Sequence, residues 1–224
     1  MWSERMGRVH LFADEAGNFD FSRNPGASRY FILTTVTHDG FGVGDTLLRL
    51  RRELAWEGIE QATDDFHATE ERQEVRDRVF AELAGVDFRV DATILEKRKT
   101  EPRLQANELR FYKTAWYLHF KFVAPRVLGD SGEMLVVAAS LGTKKRRATF
   151  HDAIHDVVSQ VIPGVRFRTA SWAAASDPCL WAADYCCWAI QRKWERNDPR
   201  SYELIRDRIG TEFDVFRAGK KIHC

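Results

Sequence analysis

A chain of 224 residues with 44% hydrophobic side chains, 7 Trp and 15 Phe among them, is long enough to bury one sizeable core. A net charge of +1 excludes a global field that would draw it to nucleic acid or to a lipid surface, so a polyanion would have to be met by local patches. No signal-like apolar run opens it, no stretch approaches the ~20 apolar residues of a membrane span, and its four cysteines, Cys179, Cys186, Cys187 and Cys224, form no disulfide framework. Reduced thiols, a cytoplasmic location and no membrane partner are therefore expected.

Residues 9–16, reading V-H-L-F-A-D-E-A, predict a first strand with apolar groups on both faces. Val9, Leu11 and Ala13 fall on one side, His10, Phe12 and Asp14 on the other. Such a strand sits centrally in its sheet. An acid at its end is costly unless paired, hydrogen-bonded or bound to a metal, although Asp14 and Glu15 would also serve a solvated turn. Gly17 and Asn18 then tolerate the positive φ needed to turn back into a second, antiparallel strand over 30–37.

A helix follows over 43–57, with Leu47, Leu50 and Leu54 at helical spacing. After a short extended piece at 64–68, Thr69 is the expected N-cap of a helix with Val75, Val79, Phe80 and Leu83 on its apolar face, ended by Gly85. A third strand covers 87–95 and leads into a basic loop holding Lys97, Arg98, Lys99 and Arg103. A long aromatic helix is expected over 104–123, with Phe111, Ala115, Leu118 and Phe122 on one face, and then a strand over 134–139. The run Lys144-Lys145-Arg146-Arg147 starts another helix, stopped by Pro163 and Gly164, and a short strand occupies 165–170.

Asp177 and Pro178 open the next helix, which runs to Ile190 and is apolar nearly all round, as a buried central helix is. A helix over 200–209 and a strand over 213–216 close the chain. The pattern predicts an α/β three-layer fold with a central mixed β-sheet flanked by helices, a single domain over 1–224 with a helical insertion at about 43–84.

Asp184 is the only charged side chain between Asp177 and Arg192. Burying it unpaired would cost several kcal/mol, so it needs either a structural partner or a ligand. Asp177 lies roughly 10 Å further along the same helix and is read as a cap, not a co-ligand. Asp14 and Asp184, from two separate elements, suit a hard divalent cation, Mg²⁺ or Mn²⁺, which takes carboxylates, water and substrate phosphate oxygens. Lys97 and Lys144, from the two basic clusters, are the candidate phosphate contacts, although each cluster would also serve as a solvated edge. His67 is a candidate base, ligand or structural histidine. Cys186 and Cys187 point about 100° apart on their helix, which fits buried thiols better than a zinc site. No phosphate-binding glycine loop or H-E-x-x-H sequence is present.

The opening L-F-A-D-E-A-G-N, the F-H-A-T-E segment at 66–70 and the late S-D-P-C-L-W-A-A-D-Y at 176–185 together resemble the bacterial domain-of-unknown-function 3800 family over nearly the whole chain. The resemblance implies a ribonuclease H-like fold and a metal-dependent nuclease hydrolysing RNA or DNA phosphodiester bonds. It matches Asp14 and Glu15 to the family's two first-strand acids, His67 to its F-H-A histidine and Asp184 to the acid of its last core helix. Glu108 is its candidate for a further helix acid. The superfamily's acid at the end of the fourth strand is missing, because V-A-A-S-L stands at 137–141. The alternative is thus a catalytically inactive nucleic-acid- or protein-binding module on the same fold, with a protein partner or a second copy of the chain left open.

Overall fold

Strand β1 (Val9–Ala16) is the axis of the sheet, and its alternation sends side chains into two separate cores. Phe12 packs on one face with Val36, Ile94 and the apolar side of a long helix at 178–196. Leu11 and Ala13 pack on the other with Phe111, Trp116 and Phe120. The computed structural model describes residues 7–38, 40–59, 66–129, 132–140 and 144–223, apart from the side chains of 144–146.

Strands β2 (Tyr30–His38) and β3 (Arg89–Glu96) extend the sheet antiparallel to their neighbours on one side of β1. Strands β4 (Glu133–Ala139) and β5 (Arg166–Trp172) extend it in parallel on the other, and β6 (Ile209–Asp214) runs parallel to β3 at the far edge. The order is β5-β4-β1-β2-β3-β6, in which β2 alone runs against the other five. Helices α1 (Gly42–Trp56) and α2 (Gln73–Ala84) lie between β2 and β3, which nonetheless pair directly. After β3 come one short turn, α3 (Pro102–Gln105), and the long α4 (Glu108–Val127); α5 (Lys144–Val161) joins β4 to β5. Helix α6 (Pro178–Arg196) crosses β1 and β2 beside α1, and α7 (Arg200–Ile205) packs on α6. The result is an α/β three-layer arrangement with a mixed six-stranded sheet between helices.

Several boundaries differ from the sequence reading, among them the end of α6, which runs on to Arg196, and that of α7, which stops at Ile205. Helix α2 starts at Gln73 and has no side-chain cap; Thr69 lies instead in a turn where the amides of Glu70 and Glu71 donate to the His67 carbonyl. Helix α4 begins later than residue 104, because Asn107 accepts from the Arg110 amide and caps it there. Its buried stripe is Phe111, Tyr112, Ala115, Trp116, His119, Phe120 and Val123, which leaves Leu118 and Phe122 at its margin. The last strand starts at Ile209, four residues earlier than expected. A Cβ at Gly210 would come within 2.4 Å of the Arg89 guanidinium, so glycine there admits the ion pair of Arg89 with buried Asp91, which Thr211 Oγ1 completes at 2.6 Å.

Gly17 takes φ +99°, where an added Cβ would meet the Tyr30 carbonyl at 2.3 Å, so the turn after β1 requires glycine. Asn18 does not share that conformation. It holds the loop by its side chain instead: Nδ2 donates to the Gly26 carbonyl at 2.7 Å, and Oδ1 accepts from the amides of Asp20 and Ser28. Asp177 does cap α6, accepting from the Cys179 amide at 2.8 Å. Cys179, Cys186 and Cys187 are buried and form no disulfide among the described residues.

Candidate functional site

Asp14 is the sixth residue of β1 and shares the face of Phe12, so it points at α6 where the strand runs out of its core. Asp184 comes to the same place from one helical turn beyond Leu180. The two carboxyl groups line one cleft, close enough for the Asp184 charge to act on Asp14. The pairing read from sequence is therefore a contact in space, at the C-terminal end of a central strand. Burial, then the Asp184 charge, then that of Glu15 push the Asp14 carboxyl well above the usual carboxylate range.

The segment 66–70 explains why Asp184 stays in place. Phe66 is buried against the rings of Trp181 and Tyr185 at 5.4 and 6.3 Å, which ties this stretch to α6. Next along the chain, His67 Nδ1 lies 3.4 Å from Asp184 Oδ1, and the Ala68 amide donates to Oδ2 at 2.7 Å. Arg76 of α2 closes the turn, donating to the carbonyls of Ala68 and Glu71. Asp184 thus has structural partners and an acidic neighbour at once. The hydrogen bond to Asp184 raises the half-exposed His67 to about 9, despite opposing burial. In the metal-free site His67 is thus favoured as a cation near neutral pH, paired with Asp184.

Glu15 follows Asp14 but projects from the opposite face of β1. Its Oε1 accepts from Tyr112 Oη at 2.6 Å and from Trp116 Nε1 at 3.4 Å, both on α4, while buried Oε2 meets no hydrogen-bond partner among the described residues. Burial, offset in part by those two donors, brings Glu15 up to about 7. Among the described residues no three His, Cys, Asp or Glu side chains converge as metal ligands, so Glu15 does not make a triad of the acid pair. Glu108 is exposed in the first turn of α4 and does not line the cleft.

The pair opens into a cleft of about 290 Å³ that is also lined by Gly17, Thr69, Ser140, Cys187, Trp188 and Gln191. Ser140 stands just past the end of β4, where the missing acid would be. Trp188 and Gln191 follow Asp184 at four and seven residues on α6. That spacing, which puts them on the Asp184 face, was the signal available in the sequence. Trp188 stacks under Arg76 at 4.9 Å.

The two lysines fare differently. Lys97 is 2% exposed, and its Nζ donates to the carbonyls of Asn18 and Asp20 and to Asn18 Oδ1, at 2.6–2.9 Å. An ammonium with three donors so engaged does not hold phosphate; this corrects the sequence reading. It anchors the loop after β1 instead. Lys97→Met is expected to lower stability by about 2–3 kcal/mol, since buried acceptors lose a charged donor, with urea unfolding as the measurement. Lys144 opens α5, and its side chain lies outside the described residues.

No protein-family model matches the chain, and no curated protein shows significant similarity to it. No helix among the described residues is long and apolar enough to cross a membrane.

Proposed function

We propose that the chain is a ribonuclease H-like, divalent-metal-dependent hydrolase of RNA or DNA phosphodiester bonds. The observation that carries this reading is the Asp14–Asp184 carboxyl pair, half-buried together at the end of a central strand and facing an open cleft. Forcing two carboxyls together at a half-buried site opposes both desolvation and mutual repulsion, and a hard dication relieves both. The sheet supports the fold half of the reading: five strands in the order β5-β4-β1-β2-β3, four of them parallel and the second in the chain alone reversed.

The donor set fits one Mg²⁺ or Mn²⁺ held by Asp14 and Asp184, with water and substrate phosphate oxygens completing its shell. Among the described residues no third carboxylate joins the pair, so their donor set is that of one ion. When bound, such an ion supplies Lewis acidity and lowers the pKa of an attacking water. The chain's own part is positional. His67 and the Ala68 amide each take one oxygen of Asp184, which fixes the carboxylate in the plane that faces Asp14. Tyr112 and Trp116 hold Glu15 behind the strand, so the second acid of the D-E pair supports the site instead of entering it.

The test is cleavage of end-labelled single-stranded RNA, single-stranded DNA and their duplexes by the purified protein with Mn²⁺ or Mg²⁺. Ion-dependent products from at least one substrate are expected; none from any of them rejects hydrolysis. Ala139 and Ser140, in place of an acid at the end of β4, favour a second reading. In that reading the same cleft binds nucleic acid without cutting it, and oligonucleotide binding without product would select it.

A further inference from the structure

Among the described residues, no helix covers the sheet face beside the cleft at β5. Phe167 packs on His155 of α5, and Thr169 meets His151 of the same helix, so the odd residues of β5 face α5. Arg166, Arg168, Ala170 and Trp172 therefore share the opposite face, the one Asp14 occupies. On that face α6 packs over β1 and β2 but makes few contacts with β4. Arg166, Arg168 and Trp172 are exposed there, and Trp172 keeps 41% of its surface in solvent.

The strand register aligns this surface with the acid pair. Ala13 lies opposite Ala138 on β4, which places Asp14 beside Ala139, and Ala139 lies opposite Trp172. Trp172 is thus two strand spacings from Asp14, about 10 Å across one face of the sheet. Arg168 lies four residues back along β5, about 13 Å below the indole. Its guanidinium donates to the Phe167 carbonyl and pairs with no acid among the described residues. Further down, Arg8 and Arg166 share one carboxylate, Glu133, leaving the stripe net positive.

We propose that Trp172 is a base-stacking platform for single-stranded nucleic acid, with Arg168 as a phosphate contact on the strand leading to the Asp14–Asp184 cleft. This subsite rests on the phosphodiester reading of the cleft, and it specifies the substrate. An exposed indole offers a π-face to any base whose own face is free, and bases inside a duplex have none to spare. Aromatic and cation alternate here along an open surface continuous with the acid pair, which is the chemistry that tracks an unpaired strand.

The experiment measures binding separately from cutting. Fluorescence anisotropy of a labelled oligothymidylate and of a labelled duplex is recorded in EDTA for wild type, Trp172→Ala, Trp172→Phe and Arg168→Ala. Trp172→Ala is expected to weaken single-strand binding at least about fivefold, the low end of what stacking one base contributes, while Trp172→Phe keeps most of it. Arg168→Ala should reduce the salt slope of binding by about one. Because Trp172 is exposed, its truncation should leave the melting temperature unchanged. Equal affinity of wild type and Trp172→Ala overturns the proposal, as does a Phe variant as weak as Ala or a preference for the duplex. A wild-type dimer that Trp172→Ala dissolves would assign the face to a second copy and overturn it too. Trp172-dependent binding without Mn²⁺-dependent cleavage would keep the subsite and reject hydrolysis; cleavage unaffected by Trp172→Ala would do the reverse.

Discussion

Asp14→Asn is expected to lower Mn²⁺-dependent cleavage at least about a hundredfold and, at the same time, to raise the melting temperature of the metal-free protein at pH 8. The first effect follows from removing half of the carboxylate pair that would hold the ion, whose electrostatic contribution in the transition state is several kcal/mol. The second follows from the apo site. Burial, Asp184 and Glu15 hold the folded Asp14 carboxyl well above its unfolded value of 3.8. Its favourable contribution is thus fully present only below pH 3.8 and is lost as pH rises through the folded value. Asparagine cannot ionise, and its amide donates to Asp184 as the protonated acid would. The difference in melting temperature between variant and wild type should be small near pH 4 and grow with pH, each kcal/mol appearing as about 2–4 °C. Mn²⁺ should reverse the ranking: it stabilises wild type more as pH rises, because the ion displaces protons, and leaves the variant unchanged. Equal cleavage by the two proteins, or equal stabilisation of both by Mn²⁺, would reject the site.

What the sequence disclosed about this site follows from how local each signal is. The acid at the end of β1 and the lone acid in α6 are visible because each breaks an apolar pattern, and a pattern break needs no tertiary information. Their meeting was an inference from cost, and both side chains line one cleft. The facing of Glu15 was equally legible, since strand alternation alone separates it from Asp14. What it would touch was not, because Tyr112 and Trp116 lie about a hundred residues away on α4. Lys97 misled for the same reason. A lysine in a basic loop reads as solvated, and only the fold of the loop after β1 shows it buried beneath Asn18 and Asp20. Thr69 carried a local cap signal, but the contact of its neighbours with Asp184 prevailed, and the helix began three residues later than that cap implies. The sheet order was open from the sequence; parallel pairing of β1 with β4 and of β3 with β6 depends on crossovers that periodicity does not encode.

Glu15→Gln tests the other side of β1, and its expected effect is on stability. The folded carboxyl is brought from 4.5 up to about 7, chiefly by burial. Between those values the folded protein holds a proton that the unfolded chain has released, so wild type loses stability as pH rises from 4.5 through about 7. At 1.36 kcal/mol per pH unit this window corresponds to about 3 kcal/mol as an upper limit. Glutamine keeps an acceptor for Tyr112 Oη and stays neutral, so the variant should match wild type below pH 4.5 and exceed it by up to about 3 kcal/mol above pH 7. Urea unfolding at several pH values measures this directly. Glu15→Ala serves as the contrast: it removes the acceptor and leaves the Tyr112 hydroxyl buried and unpaired, a loss of about 1–3 kcal/mol already at low pH. His67, raised to about 9, adds stability that is complete below 6.5 and lost as pH rises through that value, in the same direction but through a later window. The two windows separate the two faces of the strand. A glutamine variant whose advantage does not change between pH 4.5 and 7 would show that Glu15 is already ionised in the folded protein. Tyr112 and Trp116 would then be enough to hold the charge, and the strand end would be a polar site on both of its faces.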